Sequence, residues 1–342
     1  MNPGLLMLGS FARDASRYPG ATQLLARHMR GMGWPVRLAS FRRWKPVRFA
    51  DMLWNVLAGS RGYEVVVIDT FSSAAFWYAV TCARIARQLG KRVVLFLHGG
   101  GLPERTRRMP ARVRGLLACA DRIVAPSRYL AREVGEVLGF HVDVIENAID
   151  VASYPSRVRT RPKPRLFWLR AFRHEYLPEI AIEAAARLRH RRSELELIMA
   201  GPERDGSLAR CRELARRLGI EQVVRFPGMI DKAAIRRIGG GCDLFLNTTS
   251  VDNTPVSVIE AMAMGHCILS TNVGGIPDLL LDEKTALLLP PRDSQALAAA
   301  IERVLDDPGL AERLSRNAAA AAAAFAMERV VPRWHALLGE LA

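Results

Sequence analysis

The chain has 342 residues, 50% of them hydrophobic, and a formal net charge of +15. This length favours two domains, each with its own hydrophobic core. The five cysteines show no metal-ligand spacing and mostly lie in apolar surroundings, which argues against a disulfide framework and indicates reduced thiols in the cytosol. No apolar run approaches the roughly 18 residues that a membrane-spanning helix needs. We therefore expect a cytoplasmic protein that is soluble or peripheral at the inner face of the membrane.

The positive charge is concentrated in the first half of the chain. Residues 1–150 contain 22 Arg and Lys against 11 Asp and Glu, whereas the remaining residues contain 27 against 23. A basic domain indicates an anionic partner, such as a membrane surface, a nucleic acid or an acidic substrate. The alternative is a GC-rich genome, because 44 of the 49 basic residues are Arg. That alternative accounts for the choice of Arg over Lys but not for the concentration in one half.

The first half alternates strand and helix patterns. Leu5–Leu8 is interpreted as the first strand and not as a signal peptide, because no basic segment precedes it. Tyr63–Asp69 and Lys91–His98 are continuous apolar runs, and a helix pattern over residues 74–89 separates them. Strands without polar alternation that are joined by helices predict a parallel, doubly wound sheet.

Aromatic and basic residues are interleaved in the segment from Phe41 to Leu57. Trp44 and Trp54 lie among Arg42, Arg43, Lys45 and Arg48 in this segment. Such a mixture suits a membrane interface, with rings at headgroup depth and cations on lipid phosphates. The alternative is an ordinary loop and helix whose tryptophans face the core. The sequence does not decide between the two.

His98 ends a predicted strand and is followed by Gly99, Gly100 and Gly101. In doubly wound sheets, ligands bind beyond the carboxyl ends of the strands, which is where His98 is expected. Glycines allow a backbone and a ligand to approach closely. The alternative is a structural histidine.

The second half begins after a Pro-rich basic segment, residues 153–164, that we interpret as a linker. We predict domains over residues 1–155 and 156–328, and a terminal helix over 329–342. Arg165–Leu169 opens the second domain as a strand, and further apolar strands alternate with helix patterns.

The stretch from Thr248 to Asp278 predicts a strand, a loop, a short buried helix and another strand. Thr254 and Pro255 are expected to start the helix, and Gly265 to end it. Glu260 lies on this nearly all-apolar helix without a Lys or Arg nearby in sequence. A buried carboxylate needs a partner, either the hydroxyl pair of a ligand or backbone amides of another element. The amides at the helix start suit an anionic group such as a diphosphate.

These residues resemble the signature of glycosyltransferase family 4. The similarity lies in Asp252-x7-Glu260 followed by Ala-Met-Ala-x-Gly, and then in Ser270 to Pro277, which reads Ser-Thr-Asn-Val-Gly-Gly-Ile-Pro. The similarity is clearer in the C-terminal half than in the N-terminal half. It implies the GT-B fold: an α/β protein of two Rossmann-like, doubly wound parallel-sheet domains that face a cleft. It also implies that the terminal helix crosses back over the first domain.

The resemblance implies roles for individual residues. Glu260 would hold the ribose hydroxyls of the donor. Asp252 and the backbone that follows it would hold the transferred sugar, and Arg170 would bind the diphosphate. His98 would contact the sugar from the first domain. Further donor-binding positions implied in this way are Asn253, Thr254, Pro255, Val256, Arg173, Gly20, Gly99 and Gly100.

The chain departs from the family pattern at Glu146, where Pro is usual, and at two positions of the implied donor site. Asp252 stands where Glu is usual, and the Lys that normally follows the diphosphate Arg is missing. Arg173 is the candidate substitute, and Tyr176 lies nearest the expected place of the Lys.

The function implied is that of a retaining, hexosyltransferase-type glycosyltransferase (EC 2.4) in polysaccharide or glycolipid biosynthesis. It would use a nucleotide-sugar donor and a glycan, lipid-linked or small-molecule acceptor. The chain has no convincing Asp-x-Asp motif, so we expect no metal and no cofactor, with cations and the helix dipole stabilising the leaving group. The alternatives are a nucleotide-sugar epimerase, a phosphorylase, or a catalytically silent glycan- or nucleotide-binding protein. We expect no nucleic-acid partner, since no nucleic-acid module or stacking motif is present.

Overall fold

The computed structural model describes residues 2–11 and 20–341. The chain divides into two compact units, unit 1 (Met1–Ala148 and Met327–Ala342) and unit 2 (Ile149–Ala326). The observed boundaries, after residues 148 and 326, therefore lie before the predicted boundaries, which are after residues 155 and 328. Ile149 already belongs to unit 2, because its amide donates a hydrogen bond of 2.9 Å to the carbonyl of Phe325. Among the described residues, no helix combines the length and apolar character needed to cross a membrane.

Unit 1 is built on a parallel sheet of six strands among its described residues, in the order β2-β1-β3-β4-β5-β6. The strands are β1 (Leu5–Leu8), β2 (Val36–Ala39), β3 (Val65–Thr70), β4 (Arg92–Leu97), β5 (Arg122–Ala125) and β6 (Asp143–Val144). The chain runs outward from β1 to β2 and then returns to β3 on the other side. This reversal creates a topological switch point between β1 and β3, where doubly wound sheets bind ligands.

Helices cover both faces of this sheet. They are α1 (Ala21–Gly31), α2 (Lys45–Leu57), α3 (Ala75–Gln88), α4 (Leu102–Arg108), α5 (Pro110–Leu117) and α6 (Arg128–Leu130). Successive side chains of a strand point to opposite faces, so Leu6 and Leu8 pack with α2 and α3 while Leu5 and Met7 pack with α1 and the C-terminal helix, Met327–Gly339. The apolar runs are continuous because neither face meets water.

Unit 2 has the same architecture, with sheet order β12-β11-β10-β7-β8-β9 among its described residues. Its strands are β7 (Arg165–Leu169), β8 (Glu196–Ala200), β9 (Val224–Gly228), β10 (Leu244–Asn247), β11 (Cys267–Thr271) and β12 (Leu287–Leu289). Its helices are α7 (Pro178–Leu188), α8 (Ser207–Arg217), α9 (Lys232–Gly240), α10 (Val256–Ala263), α11 (Ile276–Leu279), α12 (Ser294–Asp306) and α13 (Pro308–Ala322); the C-terminal helix of unit 1 is α14. The strand order reverses between β7 and β10, which are direct neighbours. The loops after these two strands therefore meet at the switch point of unit 2.

The segment interpreted as a linker contains a buried arginine. Arg159 is 1% exposed, and its guanidinium donates to the carbonyls of Met264 and, at 3.0 Å, of Cys242. It also lies 3.5 Å from the carboxylate of Asp243, and burial lowers the pKa of Arg159 to about 10. The linker interpretation is therefore wrong for this part, which packs into unit 2. Composition alone did not reveal a cation whose partners are distant in sequence.

Candidate functional site

The two loops at the switch point of unit 2 are joined by an ion pair. Arg170 directly follows β7, and Asp252 lies in the loop after β10. Nη2 of Arg170 is 2.8 Å from Oδ2 of Asp252, and both side chains are largely buried. Burial raises the pKa of the Asp252 carboxyl, and the charge of Arg170 opposes that shift. The structure thus brings two predicted site residues into direct contact.

Two glycines let neighbouring backbone approach this ion pair. Gly201, at φ +150°, lies so close to the carbonyl of Arg170 that a Cβ atom would overlap it. Gly274, at φ +56°, lies equally close to the carbonyl of Asp252. Larger side chains at either position would displace the backbone that carries the pair. This packing explains the first glycine of the Gly-Gly sequence after β11.

The turn after Arg170 carries the two residues weighed for the missing lysine. Tyr176 stacks on Arg170, with the guanidinium carbon 4.0 Å from the ring centroid. Arg173 is exposed and lies 3.1 Å from Oε1 of Glu175. Arg173 is thus paired with a neighbouring carboxylate, while Tyr176 is half-buried and packs on Arg170.

Helix α10 begins one residue later than predicted. Pro255 has extended backbone angles and is the N-cap, so the helix starts at Val256 and Thr254 precedes the cap. Asn253 and Thr254 are buried, and the Asn253 amide donates to Oδ1 of Asp252 at 2.9 Å. Ser257, in the first turn, has a buried Oγ with no hydrogen-bond partner among the described residues. The first amides of a helix also lack intrahelical acceptors, so this end offers several donors to an anion.

Glu260 is 2% exposed and has two protein partners. The Tyr154 hydroxyl donates to its Oε1 at 2.6 Å, and the Lys232 ammonium forms an ion pair with the same oxygen. The partner that this buried carboxylate was expected to need is therefore supplied, at least in part, by the protein itself. Lys232 begins α9 and is distant from Glu260 in sequence, so helical spacing could not identify it. Burial and the charge of Glu260 raise the pKa of Tyr154 above its ordinary value.

In unit 1, His98 follows β4 and contacts a buried carboxylate. Its Nε2 lies 3.0 Å from Oδ1 of Asp69, near the end of β3, and Thr22 Oγ1 donates to the same oxygen at 2.7 Å. An ionised carboxylate only accepts hydrogen bonds, so the proton of a neutral His98 is on Nε2. The ring lies between Phe71 and Phe96. These contacts fix its orientation.

The predicted glycines of unit 1 lie at loop positions. Gly99 has φ +82°, and a Cβ atom there would lie 4.0 Å from the Phe71 ring; Gly100 follows it in the turn before α4. Gly20 is the N-cap of α1, and its amide donates to Oε1 of Gln23 at 3.2 Å. The rest of the loop before Gly20, residues 12–19, lies outside the described residues.

The sequence reasoning did not identify Asp69, Lys232, Tyr154 or Ser257. Asp69 carried a usable signal, since it stands at the carboxyl end of a buried strand as His98 does. Ser257 lies in the first turn of a helix that was predicted to bind an anion. Lys232 and Tyr154 carried no local signal, because their relation to Glu260 arises from the tertiary fold.

Helix α2 exposes an apolar stripe. Trp44 and Trp54 are each 71% exposed, so the interpretation in which they face the core is wrong. Val47 and Leu57 are also exposed and lie at helical spacing from Trp54. Arg48 is used internally, since it donates to the carbonyls of Arg42 and Arg43.

Within residues 2–11 and 20–341, no three His, Cys, Asp or Glu side chains are arranged to hold a metal ion.

Two family models match almost the whole chain. The model described as "Glycosyltransferase Family 4" matches residues 11–153, and the model "Glycosyl transferases group 1" matches residues 156–321. Among curated proteins, the chain is 28% identical over 207 residues to a glycogen synthase of Mycobacterium tuberculosis, covering 58% of this chain and 49% of that protein. It is 29% identical over 247 residues to a D-inositol 3-phosphate glycosyltransferase of Streptomyces avermitilis, covering 66% and 53%. The chain thus spans about half the length of these relatives.

Two solved structures share the fold over nearly the whole chain. Anabaena Alr3699/HepE, in complex with UDP and glucose, superposes with a TM-score of 0.77 at 18% identity, covering 99% of this chain and 100% of that chain. Sucrose-phosphate synthase from Thermosynechococcus elongatus superposes with a TM-score of 0.79 at 19% identity, covering 99% of each.

Proposed function

The chain belongs to family 4 of the glycosyltransferases and has their GT-B fold, and from this premise we propose that it moves a hexosyl group from a nucleoside-diphosphate sugar to an acceptor hydroxyl, with retention of anomeric configuration. The observation that carries the proposal is the buried pair of Arg170 and Asp252 beside the start of α10, at the switch point of unit 2. The UDP and glucose in the Anabaena structure favour a UDP-hexose donor.

The diphosphate is proposed to bind Arg170 and the start of α10. The amides of Val256 and Ser257 and the Ser257 hydroxyl are donors without a helical acceptor. Negative charge on the diphosphate grows as the glycosidic bond breaks, so a fixed guanidinium and a helix N-terminus stabilise the transition state. This arrangement supports leaving-group stabilisation without a metal. Turnover is expected to persist in EDTA, and restoration by Mg²⁺ or Mn²⁺ after loss in EDTA would contradict this part.

The nucleoside is proposed to bind through Glu260. Its buried carboxylate is held through Oε1 by Tyr154 and Lys232, and we assign to its second oxygen the role of accepting from ribose hydroxyls. Asp252, with the backbone of Asn253 to Pro255, is proposed to hold the transferred sugar. His98, whose ring nitrogen lies 3.0 Å from Asp69, is proposed as a sugar-binding residue.

The acceptor is proposed to be lipid-linked and presented at an anionic membrane surface. The exposed stripe of α2, with Trp44 and Trp54 beside Arg42, Arg43 and Lys45, supports this proposal. Interfacial helices combine such rings with basic residues. Glycans and small molecules are the other acceptor classes.

The test is incubation of the purified protein with a panel of nucleotide sugars, with and without acceptors, followed by product analysis. Transfer of the hexose with retained configuration supports the proposal. Isomerised donor in the absence of acceptor would indicate an epimerase, and phosphate-dependent release of a sugar phosphate would indicate a phosphorylase. Binding of a donor without any turnover would indicate a silent binding protein.

A further inference from the structure

Tyr176, Arg170 and Asp252 form a cluster that we call the arginine clamp. The guanidinium of Arg170 has the Tyr176 ring on its face, 4.0 Å from centroid to guanidinium carbon, and the Asp252 carboxylate at one edge, 2.8 Å from Nη2. A planar cation held on a face and at one edge has little freedom to rotate. Its remaining N–H groups are available to other acceptors.

The turn that carries Tyr176 is attached to the loop that carries Asp252. Thr248 Oγ1 donates to the carbonyl of Tyr176 at 2.8 Å, and the indole of Trp168 donates to the same Oγ1 at 3.0 Å. The amide and hydroxyl of Ser250 both donate to the carbonyl of Glu175 at 2.8 Å. Hydrogen bonds from Thr248 and Ser250 to the backbone of the turn therefore fix the Tyr176 segment relative to the loop that carries Asp252.

We propose that Tyr176 is a positioning residue that orients the Arg170 guanidinium toward the leaving diphosphate. This inference rests on the proposed function, in which Arg170 binds that diphosphate. A guanidinium is always charged, and its plane can stack on an aromatic face while its edge binds phosphate oxygens in a bidentate manner. An ammonium is a point charge that cannot bind phosphate in a bidentate manner. One oriented arginine thus replaces two flexible cations. The lysine that normally follows the diphosphate arginine in the family is then not needed, and Tyr176 lies nearest its expected place.

The central variant is Tyr176→Leu, which keeps an apolar side chain and removes the ring face. We expect kcat to fall about 5- to 30-fold, as a partly desolvated cation–π contact predicts, with the donor KM changed less than twofold. Tyr176→Phe keeps the ring face and should retain kcat within about twofold. If Tyr176→Leu melts below the assay temperature, Tyr176→Met is measured in its place.

A double-mutant cycle with Arg170→Ala separates positioning from a structural role. If the ring acts through Arg170, Tyr176→Leu has no further effect on kcat in the Arg170→Ala background. An equal loss in both backgrounds would overturn the proposal, as would wild-type kcat in Tyr176→Leu. Tyr176→Lys with activity at or above wild type would also overturn it, because the position would then require a charge and not a ring.

A matched control is available elsewhere in unit 2. Arg212 lies over the ring of Phe226 at 5.9 Å, and neither residue belongs to the arginine clamp. Phe226→Leu should leave kcat unchanged. If Arg170→Ala is inactive while Tyr176→Leu is fully active, the positioning role of Tyr176 is refuted and the diphosphate assignment of Arg170 stands. Wild-type kcat in Arg170→Ala refutes the diphosphate assignment on which it depends.

Discussion

Lys232, the first residue of α9, forms an ion pair with the buried carboxylate of Glu260 on α10. Tyr154 donates to the same oxygen. The charge of Glu260 is therefore balanced by the ammonium of Lys232. A nucleoside that binds here needs to supply donors to Glu260 but no cation, which suits neutral ribose hydroxyls.

Glu260→Gln is expected to weaken donor binding at least tenfold. The substitution keeps the shape of the side chain and removes the charged acceptor, and a hydrogen bond to a charged group contributes roughly 1.5–3 kcal/mol. Calorimetric titration with the preferred nucleotide sugar measures the change. Glu302→Gln is the control, since Glu302 lies on α12 and pairs with Arg191. Unchanged donor affinity in Glu260→Gln would remove the ribose assignment.

Arg170→Ala is expected to lose about 100-fold or more in kcat, by analogy with the loss of one oxyanion donor. The donor KM should change less, because charge on the diphosphate is larger in the transition state than in the ground state. Arg173→Ala is the matched comparison. Arg173 is exposed and paired with Glu175, so we expect less than a threefold loss. A loss in Arg173→Ala as large as in Arg170→Ala would show that Arg173 has taken over the lysine role.

Replacing Trp44 and Trp54 by Ser should abolish binding to anionic vesicles. Both rings are exposed, and interfacial burial of their apolar surface is the largest favourable contribution we assign to this helix. Charge reversal of Arg42 and Arg43 should also weaken binding, because each basic residue near an anionic surface contributes about 1 kcal/mol. Co-sedimentation with vesicles containing phosphatidylserine, at low and high salt, measures both effects. Full binding by the tryptophan variant would show that the stripe is not the docking face.

We expect the buried side chain of His266 to make the folded protein less stable in mild acid. Burial, and secondarily the charge of Arg159, lowers the pKa of His266 from 6.5 to about 3, and its Nε2 lies 2.8 Å from the carbonyl of Gly239. Below pH 6.5 the unfolded chain binds a proton that the native state does not, so stability falls as the pH falls toward 3. Between pH 7 and pH 5, this residue should cost about 2 kcal/mol of unfolding free energy.

Urea unfolding of the wild type and His266→Gln at both pH values measures this contribution. The wild type should lose about 2 kcal/mol more than the variant between pH 7 and pH 5. His190→Gln is the control, because His190 is exposed and should leave the pH dependence unaltered. Identical pH dependence in the wild type and His266→Gln would contradict the buried, neutral assignment.

Much of the fold was predictable because its determinants are local. The apolar runs Tyr63–Asp69 and Cys267–Ser270 predicted buried parallel strands, and the structure has strands covered on two faces at Val65–Thr70 and Cys267–Thr271. Glycine and proline signals predicted the ends of α10 to within about one residue. His98 was predicted as a site residue because it follows a strand in a doubly wound sheet, whereas the role of Arg170 was implied by the family resemblance. Helix periodicity did not predict the exposure of Trp54, since either face of α2 is apolar enough to pack.

The two α/β units, the approximate strand ends and the helix that carries Glu260 could be inferred from the amino-acid sequence. These features depend on apolar patterning, backbone conformation and hydrogen bonding over a few residues. The contacts between distant groups became visible in the folded chain: Lys232 with Glu260, Arg170 with Asp252, and Asp69 with His98. Each of these pairs depends on strand order and on the packing of separate elements. Burial then makes each pairing costly to break, because the dry interior leaves an unpaired charge without water to solvate it.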